Sequence, residues 1–436
     1  MLWGFWLVVS MCMRLKNMSV VSAISCAVPL SLSAMYKTCS YYVDNMLLMN
    51  SVNTLLVFLT SSLVLLVVLT GWHVCNPMYT FLPIALSLVV SSCFLSSNLL
   101  LFYFLFELSL LPILYMIIGW GYQPERVQAS MYMVMYTVVA SMPLLLVIML
   151  ISSYNSSWSI SLLYELKFGI PPALWLMGCM AFLVKLPAYS CHIWLPKAHV
   201  EAPVGGSMML AGVLLKLGGY GLYIYSSVLL QPLTNTTICV LMCFTMWGGV
   251  LAALYCFTQV DIKALIAYSS IVHMSLVVLG YLSSTSWGYA SATITMLGHG
   301  WASSSLFLLA YVTYERVGSR SFLYTKGVLQ IVPALTLIWF IYCSWNMAAP
   351  PTINLLGELA AVPTSWLFSA KILGVLMGIM FLSVGYNMYL YSQINHGYAS
   401  SYCSSFRQLS SLNCITLVAH AFPLLFIFQL DCFLPL

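Results

Sequence analysis

Apolar runs of about 20 residues, parted by short polar clusters, recur from one end of the chain to the other. A helix needs about that length to cross the hydrocarbon core of a bilayer. The pattern predicts spans over 2–13, 18–36, 46–70, 79–97, 98–118, 129–152, 172–196, 204–230, 237–258, 264–283, 287–312, 328–367, 368–393 and 411–431. The opening run, MLWGFWLVVSMCM, is apolar from its second residue. It reads as a first span rather than a cleavable leader. The expected fold is an all-α polytopic membrane protein with about fourteen transmembrane helices.

Two spans look broken. The seventh carries Pro187 directly after Lys185 and Leu186, then Pro196. The twelfth carries Pro350-Pro351 in its middle, with Gly357 beyond. Proline removes a helical N–H and clashes with the preceding turn. Irregular backbone at membrane depth survives only where protein buries it or water reaches it. The broken spans are five apart. Spans four to eight and nine to thirteen therefore read as two repeats, inverted because five is odd. The chain divides into 1–97 (spans one to four, the fourth opening the first repeat), 98–230, 237–393 (the second repeat) and 394–436.

Composition strengthens this picture. Of 436 residues, 62% are hydrophobic and only 5% are Asp, Glu, Lys or Arg, against roughly 25% charged in a soluble domain. No polar stretch is long enough for a soluble domain. The net charge of +5 does not point to nucleic acid, because the basic residues lie between spans. The fourteen cysteines show neither C-x-x-C spacing nor a Cys/His ligand cluster. They read as small apolar packing residues. Odd-numbered loops carry Arg14, Lys16, Arg126, Lys197, Lys263, Arg316, Arg320, Lys326 and Arg407, and even-numbered loops only Lys37 and Lys167. By the positive-inside rule both termini face the outer side.

The remaining charges are few and sit in the spans. Glu107 lies in LFYFLFELSLLPIL and Glu358 in TINLLGELAAV. Lys185 follows the apolar run ALWLMGCMAFLV, and Lys216 lies in MLAGVLLKLGGYG. His273 and His299 add titratable nitrogens. A charge at the bilayer centre costs at least about 2.5–3.5 kcal/mol, and such groups usually pair and mark ion or proton paths. Blander roles are open for each: a static Glu107–Lys185 tie between helices, a snorkelling Lys216, histidines that only join helices. Lys371 starts its span and reads as a snorkelling surface residue. Glu125, Arg126, Glu315 and Arg316 read as solvated loop charges.

Desolvation disfavours a charged lysine and a nearby carboxylate favours it. At about 5 Å and an effective dielectric near 20, the pair is worth about 3 kcal/mol. Moving one charge against 100 mV costs about 2.3 kcal/mol. Making and breaking such a pair is the right size to load and release a proton, and histidine suits a relay.

Several stretches now invite comparison: WGYQPERVQASMYMVMYT (120–137), LPKAHVEAPVGGSMMLAGVLLKLGGYG (195–221), DIKALIAYSSIVHMS (261–275), GHGWASSSLFLLAYVTYERVGSR (298–320) and PPTINLLGELAAV (350–362). In order and spacing they resemble the antiporter-like membrane-arm subunits of mitochondrial NADH:ubiquinone oxidoreductase, respiratory complex I. The resemblance covers roughly 98–395. It implies fourteen helices in two inverted five-helix repeats. Glu107 matches the family's glutamate on the fifth helix, Lys185 and Lys216 its lysines on the seventh and eighth, and His273 and His299 its histidines. Glu358 matches the subunit type that carries glutamate, not lysine, on the broken twelfth helix. FELSLLP and APVGG depart from the family's usual forms, and Lys371 has no counterpart in it.

The resemblance implies a proton-translocating subunit that couples NADH-to-ubiquinone electron transfer to pumping through a Glu/Lys/His relay. Glu107 would pair with Lys185, and the lysine would lose its proton along Lys216, His273 and His299 toward Glu358. It further implies that this chain binds no cofactor, with NADH, FMN, iron–sulfur clusters and ubiquinone held by other subunits. Its partners would be other membrane-arm subunits, two sister antiporter-like subunits above all, and lipids such as cardiolipin. The compartment implied is the mitochondrial inner membrane, with a bacterial plasma membrane as the alternative. Two rival readings are a subunit of a multisubunit sodium/proton antiporter and a non-pumping scaffold.

Overall fold

The computed structural model describes residue 31 and residues 42–43, 47–71, 76–155, 157–166, 169–229, 236–398 and 410–425. The spans expected at 2–13 and, apart from residue 31, at 18–36 lie outside them, as do Arg14, Lys16, Lys37, Lys167 and Arg407. Two short strands, β1 (Tyr42–Val43) and β2 (Leu48–Met49), pair antiparallel. Everything else regular among the described residues is helical. In chain order come α1 (Ser51–Thr70), α2 (Pro77–Leu95), α3 (Leu99–Leu108), α4 (Leu110–Trp120), α5 (Arg126–Asn155) and α6 (Ile160–Leu166). Then follow α7 (Pro172–Lys185), α8 (Trp194–Glu201), α9 (Val204–Val228), α10 (Thr236–Cys256), α11 (Ile262–Leu282) and α12 (Ser286–Val317). The last are α13 (Val328–Ile331), α14 (Pro333–Asn346), α15 (Ile353–Phe368), α16 (Ala370–Asn395) and α17 (Ser411–Leu424).

Among the described residues, eight helices are long and apolar enough to cross a membrane: α1, α2, α3–α4 taken together, α5, α9, α10, α11 and α16. Burial sorts them. In α9 and α11, 94% of a spanning window is buried, against 33% in α5 and α16. The first pair forms the centre and the second presents apolar side chains outward. The centre is rich in small residues, as in AYSSIVHMS of α11 and SATITMLGHGWASSS of α12, which lets helices pack closely. Their hydroxyls need partners in a dry interior. Ser269, Ser270 and Ser275 bond to carbonyls of their own helix, three residues back.

Both expected breaks are present. The seventh span stops at Lys185 and resumes as α8; the twelfth stops at Asn346 and resumes as α15. Each break holds one non-glycine residue in the left-handed region, Ser190 (φ 85°) and Ala348 (φ 59°). Each is also clipped in the same way. The indole N–H of Trp194 donates to the Val184 carbonyl at 3.1 Å. The Asn354 amide donates to the Trp345 carbonyl at 3.0 Å. In both, a side chain from the first turn of the second half reaches the penultimate carbonyl of the first.

Two residues expected to mark breaks do not. Pro196 is the third residue of α8, where its missing N–H would have had no helical partner anyway. Gly357 lies inside α15 because a Cβ there would press on Thr295. Three irregularities were not expected. Val332, with φ −142°, parts α13 from α14 ahead of Pro333. Ser109 interrupts the fifth span between α3 and α4 with helical backbone angles, three residues before Pro112, which has no N–H for the Leu108 carbonyl. Within α9, Leu210–Leu214 winds as a π-helix.

Candidate functional site

The chemistry-bearing side chains gather along the middle of the bundle. Lys185 is the last residue of α7 and is 2% exposed. Aromatic packing of Phe182 against Phe102 and Phe106 sets α7 beside α3. Its ammonium donates to the Phe106 carbonyl at 2.9 Å and the Ser109 hydroxyl at 3.3 Å, and lies 3.3 Å from the centroid of the Phe106 ring. The lysine therefore occupies the irregular turn that also carries Glu107. The direct Glu107–Lys185 ion pair expected from sequence is not formed. Carbonyl, hydroxyl and ring hold the ammonium instead, and Oε1 of Glu107 is buried with no hydrogen-bond partner among the described residues.

Lys216 is fully buried in α9. A π-turn displaces carbonyls from the regular ladder, and Lys216 Nζ donates to one of them, Ala211, at 2.7 Å. The same Nζ lies 3.2 Å from Nδ1 of His299 on α12. The His299 and His273 rings are 5.3 Å apart, centroid to centroid. Nδ1 of His273, on α11, is 4.0 Å from Oε1 of Glu358 on α15. Lys216, His299, His273 and Glu358 thus form one contiguous buried row across four helices. No hydrogen bond joins Lys185 to Lys216 directly. Gly218, half a turn beyond Lys216, closes the distance between their helices: a Cβ there would lie 3.2 Å from the Leu186 nitrogen and the Phe182 carbonyl.

Sequence reasoning passed over a second group at the end of α8. Lys263, expected in a loop, is the second residue of α11 and only 3% exposed. Its Nζ donates to the Ala202 carbonyl at 3.0 Å and lies 4.8 Å from the Tyr122 ring centroid. Arg320 donates to the Val200 carbonyl at 2.6 Å and sits 3.7 Å from Glu201. Two cations therefore cap the carbonyl end of α8, where the helix dipole favours them. One turn inward, His199 is fully buried and stacked on Phe307 at 4.6 Å, with neither ring nitrogen partnered among the described residues. The signal available in sequence was the crowding of His192, Lys197, His199 and Glu201 around the seventh-span break. Lys371 is exposed on the first turn of α16, apart from these groups. Tyr386, which meets His273, had no sequence signal among 28 tyrosines.

A family model described as NADH:quinone oxidoreductase/Mrp antiporter, TM, matches residues 96–384. The chain is 43% identical over 401 residues to NADH-ubiquinone oxidoreductase chain 4 of Albinaria caerulea, covering 91% of both. It is 46% identical over 331 residues to the protein of that name from Aedes aegypti, covering 74% of this chain and 72% of that one. Among solved structures, it resembles a chain of respiratory complex I from Thermus thermophilus with a TM-score of 0.87 at 21% identity, covering 95% and 91% of the two chains. A chain of the Mrp complex from Dietzia sp. gives 0.88 at 15% identity, covering 99% and 93%. At these identities the two structural likenesses speak to fold. The sequence match is the decisive one: the chain belongs to the NADH:quinone oxidoreductase/Mrp antiporter membrane family, with NADH-ubiquinone oxidoreductase chains 4 among its relatives.

Proposed function

We propose that this chain is a proton-translocating subunit of the membrane arm of respiratory complex I in the mitochondrial inner membrane. The observation that carries this reading is the buried row Lys216–His299–His273–Glu358. Each member is within reach of the next, directly or through one water. Glu107 and Lys185 form the input end. In the structure Lys185 rests on the Phe106 carbonyl. Drawing it toward Glu107 makes a pair worth about 3–4 kcal/mol, and releasing it frees a proton for the row. That energy matches the work of moving a charge against the membrane potential.

The finer architecture of this proposal is fourteen helices in two inverted five-helix repeats, with both termini on the intermembrane-space side. The matching clips at the two breaks and the meeting of Tyr122, Glu201, Lys263 and Arg320 at one end of the bundle support it. The chain binds no redox group itself in this reading. NADH, FMN, iron–sulfur clusters and ubiquinone belong to other subunits, and the neighbours are the sister antiporter-like subunits and lipids such as cardiolipin. The Mrp likeness shares the fold but does not favour an antiporter, because the relatives that match this chain in sequence are oxidoreductase chains.

The test is Glu358→Gln in the assembled, reconstituted complex. Fewer protons moved per NADH oxidised, at normal assembly, supports the relay. An unchanged ratio removes Glu358 from it.

A further inference from the structure

His273 sits at the crossing of the row, and its ring faces Glu358, the Tyr386 hydroxyl and the backbone of Asn346. Nδ1 faces Glu358 at 4.0 Å. Nε2 faces the hydroxyl of Tyr386, on α16, at 3.5 Å. Tyr386 is fully buried, and the neighbouring side chain fixes its helix against the twelfth-span break. Asn387 accepts from the Asn346 amide at 2.9 Å and donates to the Ser383 carbonyl at 2.9 Å. Asn346 is the last residue of α14. Across the break, Asn354 packs against Gly298, where any Cβ would run into its amide oxygen. Gly298 immediately precedes His299. A set of amides around one break therefore holds both histidines of the row and the tyrosine in register.

A neutral imidazole carries its proton on one nitrogen, and the hydrogen bond made by the other nitrogen decides which. We propose that Tyr386 is a positioning residue of the relay: its hydroxyl donates to Nε2 of His273 and so places the imidazole proton on Nδ1, facing Glu358. In that tautomer His273 can pass the Nδ1 proton to the carboxylate as Nε2 takes up the proton arriving along the row, so the imidazole stays neutral overall. In the other it presents a lone pair and has nothing to hand on. This rests on the relay reading of the row.

The experiment uses the whole reconstituted complex carrying Tyr386→Phe, which keeps the ring and removes the hydroxyl. Infrared spectra with isotope-labelled histidine distinguish the two imidazole tautomers, and the His273 band is assigned by its loss in His273→Gln. The expected result has three parts. The His273 band shifts away from the Nδ1–H form. Coupled NADH:quinone turnover falls about two- to tenfold, the worth of one hydrogen bond. Tyr386→Phe adds no further loss in the His273→Gln background. An unshifted band, or losses that add in the double variant, would overturn the proposal and leave Tyr386 a packing residue. If His273→Gln alone pumped normally, the relay reading itself would fail, a distinct outcome. Should Tyr386→Phe not assemble, Asn387→Ser replaces it. That variant keeps the hydroxyl but releases α16 from Asn346, and the same shift of the band is expected.

Discussion

The ammonium of Lys216 and Nδ1 of His299 lie 3.2 Å apart, with no water-accessible surface on the lysine. A lysine so placed has two partners, that imidazole and the Ala211 carbonyl at 2.7 Å. It can hold a proton on the first and be steadied by the second. Lys216→Met keeps the side chain's volume and removes its donor. We expect normal assembly and a drop in coupled turnover of at least about tenfold, toward the range set by lost acid–base groups. The check is NADH:quinone activity in sealed vesicles, with and without an uncoupler.

Gly218 lets α9 lie against the end of α7. An added Cβ meets backbone, which cannot swing aside: the Leu186 nitrogen and the Phe182 carbonyl, each at 3.2 Å. Gly218→Val should cost about 1–3 kcal/mol, as overpacking does. It should also push Lys216 away from Lys185. A fall in pumping larger than the fall in assembly, measured on the same preparations, would show the second effect.

Glu201 is 5% exposed at its side chain, and its charged partner is Arg320 at 3.7 Å. Oε2 of Glu201 has no hydrogen-bond partner among the described residues. Arg320→Ala leaves a buried carboxylate with only the more distant Lys263 as counter-charge and the Val200 carbonyl without its donor. Breaking a buried pair costs about 3–5 kcal/mol, and partial exposure of the arginine trims this. A lower thermal midpoint of the complex is expected, with Arg320→Lys intermediate because it loses the planar fork. Glu201→Gln combined with Arg320→Ala should recover part of the loss.

Ala348 holds a left-handed backbone in the twelfth-span break. That conformation costs a non-glycine residue about 1–2 kcal/mol, while glycine's extra freedom in the unfolded chain costs about 0.5–1 kcal/mol. Ala348→Gly should therefore be slightly stabilising, by about 0.5 kcal/mol, and the β-branched Ala348→Val clearly destabilising. Thermal midpoints of the two variants, compared side by side, test the sign.

Much of this was legible in the sequence, for physical reasons that differ between elements. The eight membrane-length helices among the described residues follow from hydropathy, and Pro187 and Pro350-Pro351 announce breaks because proline leaves an upstream carbonyl without its N–H donor. Glu107, Lys185, Lys216 and Glu358 stand out because charge is scarce. What sequence could not show is how backbone irregularity meets charge. Pro112 was visible, but not that the turn at Ser109 would take the Lys185 ammonium in place of Glu107. No residue pattern marks Leu210–Leu214 as a π-turn; the winding is set by the packing around it. Lys263 and Arg320 were counted as loop charges, because only the fold brings them to the carbonyl end of α8. Tyr386 is one aromatic among many until α16 is laid against α11.

In the proposed mechanism Lys185 switches between the Phe106 turn and Glu107 to drive the row. The most direct measurement is protons moved per NADH oxidised by the reconstituted complex with Lys185→Ala, read beside its assembly level and uncoupled electron transfer. The expected result is an assembled complex whose pumping and coupled electron transfer both fall steeply. An assembled complex with an undiminished proton ratio would contradict it.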